Sequence, residues 1–145
     1  MPVPSLGISL VQSGGGSVAP VTPGGWSPVS LTNDEAVPIT LGQVVYLFAN
    51  DAVKLAFSNG TMTQATAVGM VVDASIAAGS AGKVVFGGRV PGLSGGAVNA
   101  LGYLGHTAGA IANTPDLTVG EYNTLLGYWL SGTEFQFAPM LPIAN

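Results

Sequence analysis

The stretch QVVYLFANDAVKLAF, residues 43–57, decides how this chain folds. Residues 44–49 form an unbroken apolar run and read as a buried strand. After a small turn, residues 53–57 alternate with the period of two that a strand with one buried face requires. No window elsewhere holds an apolar stripe at 3.6-residue spacing over ten residues. The sequence therefore points to β-structure throughout.

Working outward, Asn59-Gly60 reads as a two-residue hairpin turn, since a type I′ turn needs positive φ at both central positions. Asn59-Gly60-Thr61 also matches a glycosylation acceptor and is read as a turn. Residues 67–74 form a further strand, 77–82 a turn, and 83–90 (KVVFGGRV) another strand. The paired glycines of that strand imply a bulge or a close backbone approach. A loop at 91–96 follows. Strands are then expected at 100–105, 110–113, 122–130 and 134–138, separated by turns at Ala108-Gly109 and Ser131-Gly132. Short strands spaced about 8–12 residues apart imply an antiparallel β-sandwich or a small β-barrel. The strand-turn-strand order of 44–88 has an echo in 101–137, which either an old duplication giving two facing sheets or the ordinary monotony of β-meanders would explain.

The front of the chain differs. Six of the ten prolines and six of the 22 glycines fall in residues 1–38, and no charged residue occurs before Asp34. Proline fixes φ and removes a donor, and glycine disfavours regular elements. Residues 1–36 are therefore expected to form an extended arm and 37–145 the β body. Within the arm Leu6, Ile8 and Leu10 alternate and, with Val11, form a candidate docking strand. Residues 12–28 form a spacer, and Trp26 sits where the arm meets the body. A neutral arm carrying a tryptophan suits lying against protein better than it suits free solution.

Composition narrows the partners. Only 7% of residues are charged, against about 25% in an ordinary soluble domain. So little charge gives little protection against association, which implies a surface covered by copies of the chain or by another protein. The three basic residues, Lys54, Lys83 and Arg89, cannot make a phosphate-binding stripe, so nucleic acid is not an expected partner. No apolar run reaches the roughly 18 residues of a membrane helix, and the first residues lack the pattern of a signal peptide. With no cysteine there is neither a disulfide framework nor a thiolate metal set.

Catalytic motifs are literal matches at most. Gly92-Leu-Ser94-Gly-Gly96 fits the nucleophile-elbow pattern, but the strand-to-helix context is missing and His106 precedes Asp116. The run 79–84 ends like a phosphate loop, but Ala77 stands where the leading glycine belongs and Val84 where a magnesium-holding hydroxyl belongs. His106 has no second histidine and reads as a turn or interface residue. The acids are scattered. No enzyme activity, cofactor or metal is expected. Among the aromatics, Phe135 and Phe137 share one strand face and read as core. Tyr128 and Trp129 are adjacent, so they point to opposite faces. One of the two is expected in the core, the other as an oligomer or partner anchor.

The runs AVGMVVDASIAAGSAGKVVFGGRVPGL (67–93), LGYLGHTAGAIANTP (101–115) and LLGYWLSGTEFQFAP (125–139) resemble small bacteriophage virion proteins: capsid decoration (cement) proteins and related β domains of head and tail fibres. The resemblance spans about residues 37–142 and rests on pattern. The sequence departs from it at Tyr128-Trp129-Leu130, where small residues are usual. It implies an all-β domain, usually a homotrimer, on the outer surface of the virion, made in the host cytoplasm. The arm would add a strand to the major capsid protein and the body would stabilise the head. An alternative is a fibre or receptor-binding domain that contacts a host glycan or protein.

Overall fold

The computed structural model describes residues 27–145. The arm candidates Leu6, Ile8, Leu10, Val11 and Trp26 lie outside them. Fourteen short strands make up almost all the regular structure. They are β1 (Val29–Asn33), β2 (Ile39–Thr40), β3 (Val44–Ala49), β4 (Ala52–Leu55), β5 (Gly69–Val71), β6 (Ser75–Ile76), β7 (Ala81–Val85) and β8 (Gly88–Val90). Then come β9 (Leu101–Leu104), β10 (Ile111–Ala112), β11 (Tyr122–Asn123), β12 (Leu125–Trp129), β13 (Phe135–Phe137) and β14 (Ile143–Ala144). The chain is all-β. It uses a closed five-stranded barrel, in the order β1-β4-β3-β5-β7, and a five-stranded sheet, in the order β10-β9-β12-β13-β8. Two-stranded ladders, β2 with β6 and β11 with β14, complete it.

The apolar runs that opened the sequence reading hold these two bodies together. Val45, Val53, Val71 and Val84 fill the barrel interior with Leu31, Ile39 and Ile76. Their strand neighbours Val44, Tyr46, Met70 and Val85 point the other way, onto Leu104, Leu126, Trp129, Phe135 and Phe137 of the second sheet. Successive side chains of a strand alternate between faces. A strand segment apolar at successive positions therefore serves two cores, and the first half of β3, β5 and the Val84-Val85 end of β7 do so. The second half of β3 runs beyond the shared core, and Leu47 and Phe48 are exposed there although the sequence run is unbroken.

Both halves use one strand order. Reading β1, β3, β4, β5 and β7 in chain order gives the sheet β4-β3-β5-β7-β1; reading β8, β9, β10, β12 and β13 gives β10-β9-β12-β13-β8. The β2–β6 ladder of the first half has its counterpart in two backbone bonds, Leu93 N–H to Thr133 O and Gly96 N–H to Gly132 O. The sequence echo thus has a matching topological repeat. The halves differ at closure. In the first, β1 pairs antiparallel with β7 and parallel with β4, closing the barrel. In the second, β8 and β10 remain at opposite ends of the sheet.

Several expectations are corrected. The boundary at 36/37 falls inside the barrel, because β1 supplies buried Leu31 and Asn33. Asn33 is satisfied there: its Nδ2 donates to Val37 O and Ile76 O, and its Oδ1 accepts from Glu35 N–H. The stretch 83–90 is two strands, not one; the glycines after Phe86 let the chain leave the barrel and join the second sheet, with Gly88 at φ 112°. Asn59-Gly60 is no type I′ hairpin, since neither residue has positive φ. It leads instead into a one-turn helix, α1 (Met62–Ala65), closed by a capping box in which Thr61 and Gln64 exchange bonds.

Trp129 is corrected as an interface candidate. It is 4% exposed and packs edge-on against its cross-strand partner Phe135, with ring centroids 5.1 Å apart. A Cβ on Gly96 would run into its ring, so that position must stay small. Tyr128 faces out, 42% exposed, beside the exposed Leu101 on β9. Phe135→Ala is expected to cost about 3–5 kcal/mol through lost burial and a cavity in the shared core. Tyr128→Ala should change stability by less than about 0.5–1 kcal/mol. Urea unfolding of the two variants measures both, and similar losses would reverse the assignment of faces.

Candidate functional site

The two halves meet at the turn between β9 and β10. Gly105 O accepts from Ser58 N–H, Gly109 N–H donates to Ala56 O, and Gly109 O accepts from Val44 N–H. The turn thus extends the barrel's own hydrogen bonding past the ends of β3 and β4. Gly109 has φ 79°, and a Cβ there would meet Leu55 Cδ2 at 2.7 Å. That is the left-handed region, where a side chain is strained.

His106 stands on this turn. Its Nε2 lies 3.0 Å from Asp116 Oδ2 and 2.6 Å from Glu121 Oε1. The two acids come from the connection between β10 and β11, which local bonds shape. Asp116 Oδ1 accepts from Thr118 N–H, an Asx turn, and Glu121 N–H donates to Thr118 O. The chain end fastens the same loop. Asn145 Nδ2 donates to Asp116 O, Asn145 N–H to Glu121 O, and Gly120 N–H to Asn145 O. From the barrel side, Tyr122 N–H donates to the carbonyl of Ser58.

The electrostatics follow from this crowding. The Asp116 side chain is 6% exposed. Burial alone would raise its pKa. The Ser58 hydroxyl beside it and the backbone and side chain of Thr118 outweigh that and hold the carboxyl well below the usual range. The Ser58 hydroxyl achieves this by proximity, since it stops short of a hydrogen bond of ordinary geometry. His106 is pushed the other way. Desolvation opposes its charge, but the Glu121 carboxylate, and after it that of Asp116, raise its pKa above 6.5. A small cleft of about 260 Å³ opens beside the group, between the β9–β10 turn and residues 114–118.

In the sequence His106 stands on a turn and the acids are scattered; the fold brings His106, Asp116 and Glu121 together. Their spacing, ten residues and then five across irregular chain, carries no recognisable period. The one local signal is the Asp116-Leu-Thr118 turn. Ser94 lies elsewhere, in a larger cleft of about 410 Å³ whose lining includes Gln43, Leu93 and Trp129 and neither a histidine nor a carboxylate. No protein-family model, curated protein or solved structure matches the chain.

Two substitutions probe the seam. Gly109→Ala is expected to lower stability by about 1–3 kcal/mol, through backbone strain and the Leu55 contact. Asp116→Ala should lower the melting temperature and speed amide exchange at Glu121 and Asn145, whose loop it anchors. Unchanged exchange at both would mean that the chain end, and not Asp116, holds the loop.

Proposed function

We propose that the chain is a bacteriophage capsid decoration (cement) protein: a non-enzymatic β body that assembles as a homotrimer on the outer surface of the virion. The observation that carries this reading is the character of the described surface. Fourteen large apolar side chains are exposed there, more than the ten charged residues of the whole chain. They are not all scattered singly. The β11–β14 ladder and its neighbouring bonds bring together the segments that carry Leu117, Val119, Leu141 and Ile143, all four exposed, Val119 to 88%. Leu101 and Tyr128 lie side by side on the outer face of the second sheet. Concentrated apolar surface with few charges suits contact with protein, from other copies and from the capsid lattice.

The first 26 residues add a second means of attachment. They are free of charge and contain the alternating segment Leu6, Ile8, Leu10, Val11. A strand added to the edge of the major capsid protein would gain affinity from main-chain hydrogen bonds and fit from alternate side chains. Three linked arms would bind with avidity, since each docked arm raises the local concentration of the next. Bridging neighbouring capsid subunits in this way would stabilise the head against the pressure of packaged DNA. The fibre reading needs one exposed aromatic at 128–129, and with Trp129 buried Tyr128 is the residue that would serve it.

Removal of residues 1–26 leaves all five barrel strands in place, so that variant is expected to keep the melting temperature of the full chain. Its cosedimentation with capsids lacking the protein should be lost. Full-strength capsid binding by the truncated chain would overturn the arm mechanism, and glycan-dependent adhesion without capsid affinity would favour the fibre reading.

A further inference from the structure

We propose that His106, Asp116 and Glu121 form a binding site for a divalent first-row transition-metal cation, with Zn²⁺ the ion that best suits the set, and that the bound ion staples the β9–β10 turn to the β10–β11 connection beside the barrel. This inference is independent of the capsid reading, since it concerns only the chain's own residues.

The first argument is a mismatch between donors and acceptors. Two carboxylate oxygens, Asp116 Oδ2 and Glu121 Oε1, converge on the same nitrogen, His106 Nε2. That nitrogen carries at most one proton, which can point along only one of the two directions. Glu121 Oε1 is buried and is left without a directed hydrogen bond, although the imidazole nitrogen is 2.6 Å away. A cation at the centre would engage all three atoms at once.

The second argument is the hydroxyl of Ser58. It is fully buried, faces the Asp116 carboxylate and completes no regular hydrogen bond. A buried hydroxyl without a partner costs about 1–3 kcal/mol, so its placement against a carboxylate calls for an explanation. In a metal site Ser58 would serve as the hydroxyl donor that orients the Asp116 carboxylate. Ligating carboxylates are commonly held by such a bond.

Geometry and donor chemistry agree on the kind of ion. The three donor atoms lie within 4.8 Å of one another. Donors on a tetrahedral zinc at bond lengths of about 2.0–2.2 Å stand roughly 3.4 Å apart, inside the observed spread. One imidazole nitrogen with two carboxylate oxygens favours zinc and its neighbours over magnesium or calcium, which prefer all-oxygen sets. The His106 side chain is half exposed and the cleft beside it opens to solvent, so an ion has a way in and a water can fill the fourth position. The ion would tie the β9–β10 turn to two points of the β10–β11 connection, Asp116 and Glu121, with Ser58 of the barrel beside Asp116.

The test is calorimetric titration of the full chain, freed of metal by chelator, with Zn²⁺, alongside thermal unfolding with and without the ion. The expected result is one ion per chain, a rise in melting temperature on loading, and no comparable response to Mg²⁺. His106→Ala and Glu121→Gln should each weaken binding by more than about tenfold, because each removes one of three protein ligands. Glu121→Gln keeps the shape of the side chain, so it remains informative if His106→Ala perturbs folding. No stoichiometric Zn²⁺ binding, or equal affinity in both variants, would overturn the proposal and leave His106 as an ion-pair residue only.

Discussion

Everything in this molecule depends on three strands, each with a segment buried on both faces. One side of β3, β5 and β7 closes the barrel interior with Val45, Val71 and Val84; the other side presents Val44, Tyr46, Met70 and Val85 to the second sheet. A 145-residue chain with little charge has few means of fixing the relative position of two sheets, and apolar burial is the largest of them. The constraint also sets what the second sheet must supply. Its inner face carries Leu104, Leu126, Trp129, Phe135 and Phe137, with glycines where the rings need room: a Cβ on Gly102 would collide with Phe135, and one on Gly96 with Trp129.

The same arrangement creates the seam in which the polar cluster sits. Because the barrel and the second sheet share a core, the β9–β10 turn lands on the ends of β3 and β4 and continues their hydrogen bonding through Gly105 and Gly109. His106 is carried along with that turn. Asp116 and Glu121 arrive from the following loop, fastened by the C-terminal residue. Four of the ten charged side chains are thus engaged in named pairings, Arg89 on β8 with Glu134 just before β13, and Asp116 and Glu121 with His106 at the seam. Little charge is left to keep the outer surface in water, which is the physical basis for reading that surface as one made to be covered.

The sequence was informative where a local rule and a tertiary need coincided. Unbroken apolar runs identified strands with two buried faces, and Phe135 and Phe137 read as core because a period of two left them on one side. The adjacency of Tyr128 and Trp129 showed that one must face out, but only packing against Phe135 and Gly96 decides which. Other features were hidden for definite reasons. The turn residues Asn59-Gly60 obeyed the stronger local signal downstream, the Thr61–Gln64 capping box, which a hairpin reading overlooked. The glycines at 87 and 88 mark a change of sheet rather than a bulge, and only the register of β8 on β13 reveals it. The seam cluster joins residues from two irregular segments and Ser58, a combination without sequence period.

The central claim is that barrel and second sheet form one cooperative body through their shared core. Hydrogen exchange of the full chain tests it most directly, by comparing the Val71 amide, bonded to Gln43 O in the barrel, with the Trp129 amide, bonded to Ala100 O in the second sheet. Both should exchange only through global unfolding, with equal protection and an equal dependence on denaturant. Strong protection of Val71 together with fast, denaturant-independent exchange of Trp129 would contradict the claim, because it would show a second sheet that opens while the barrel stays closed.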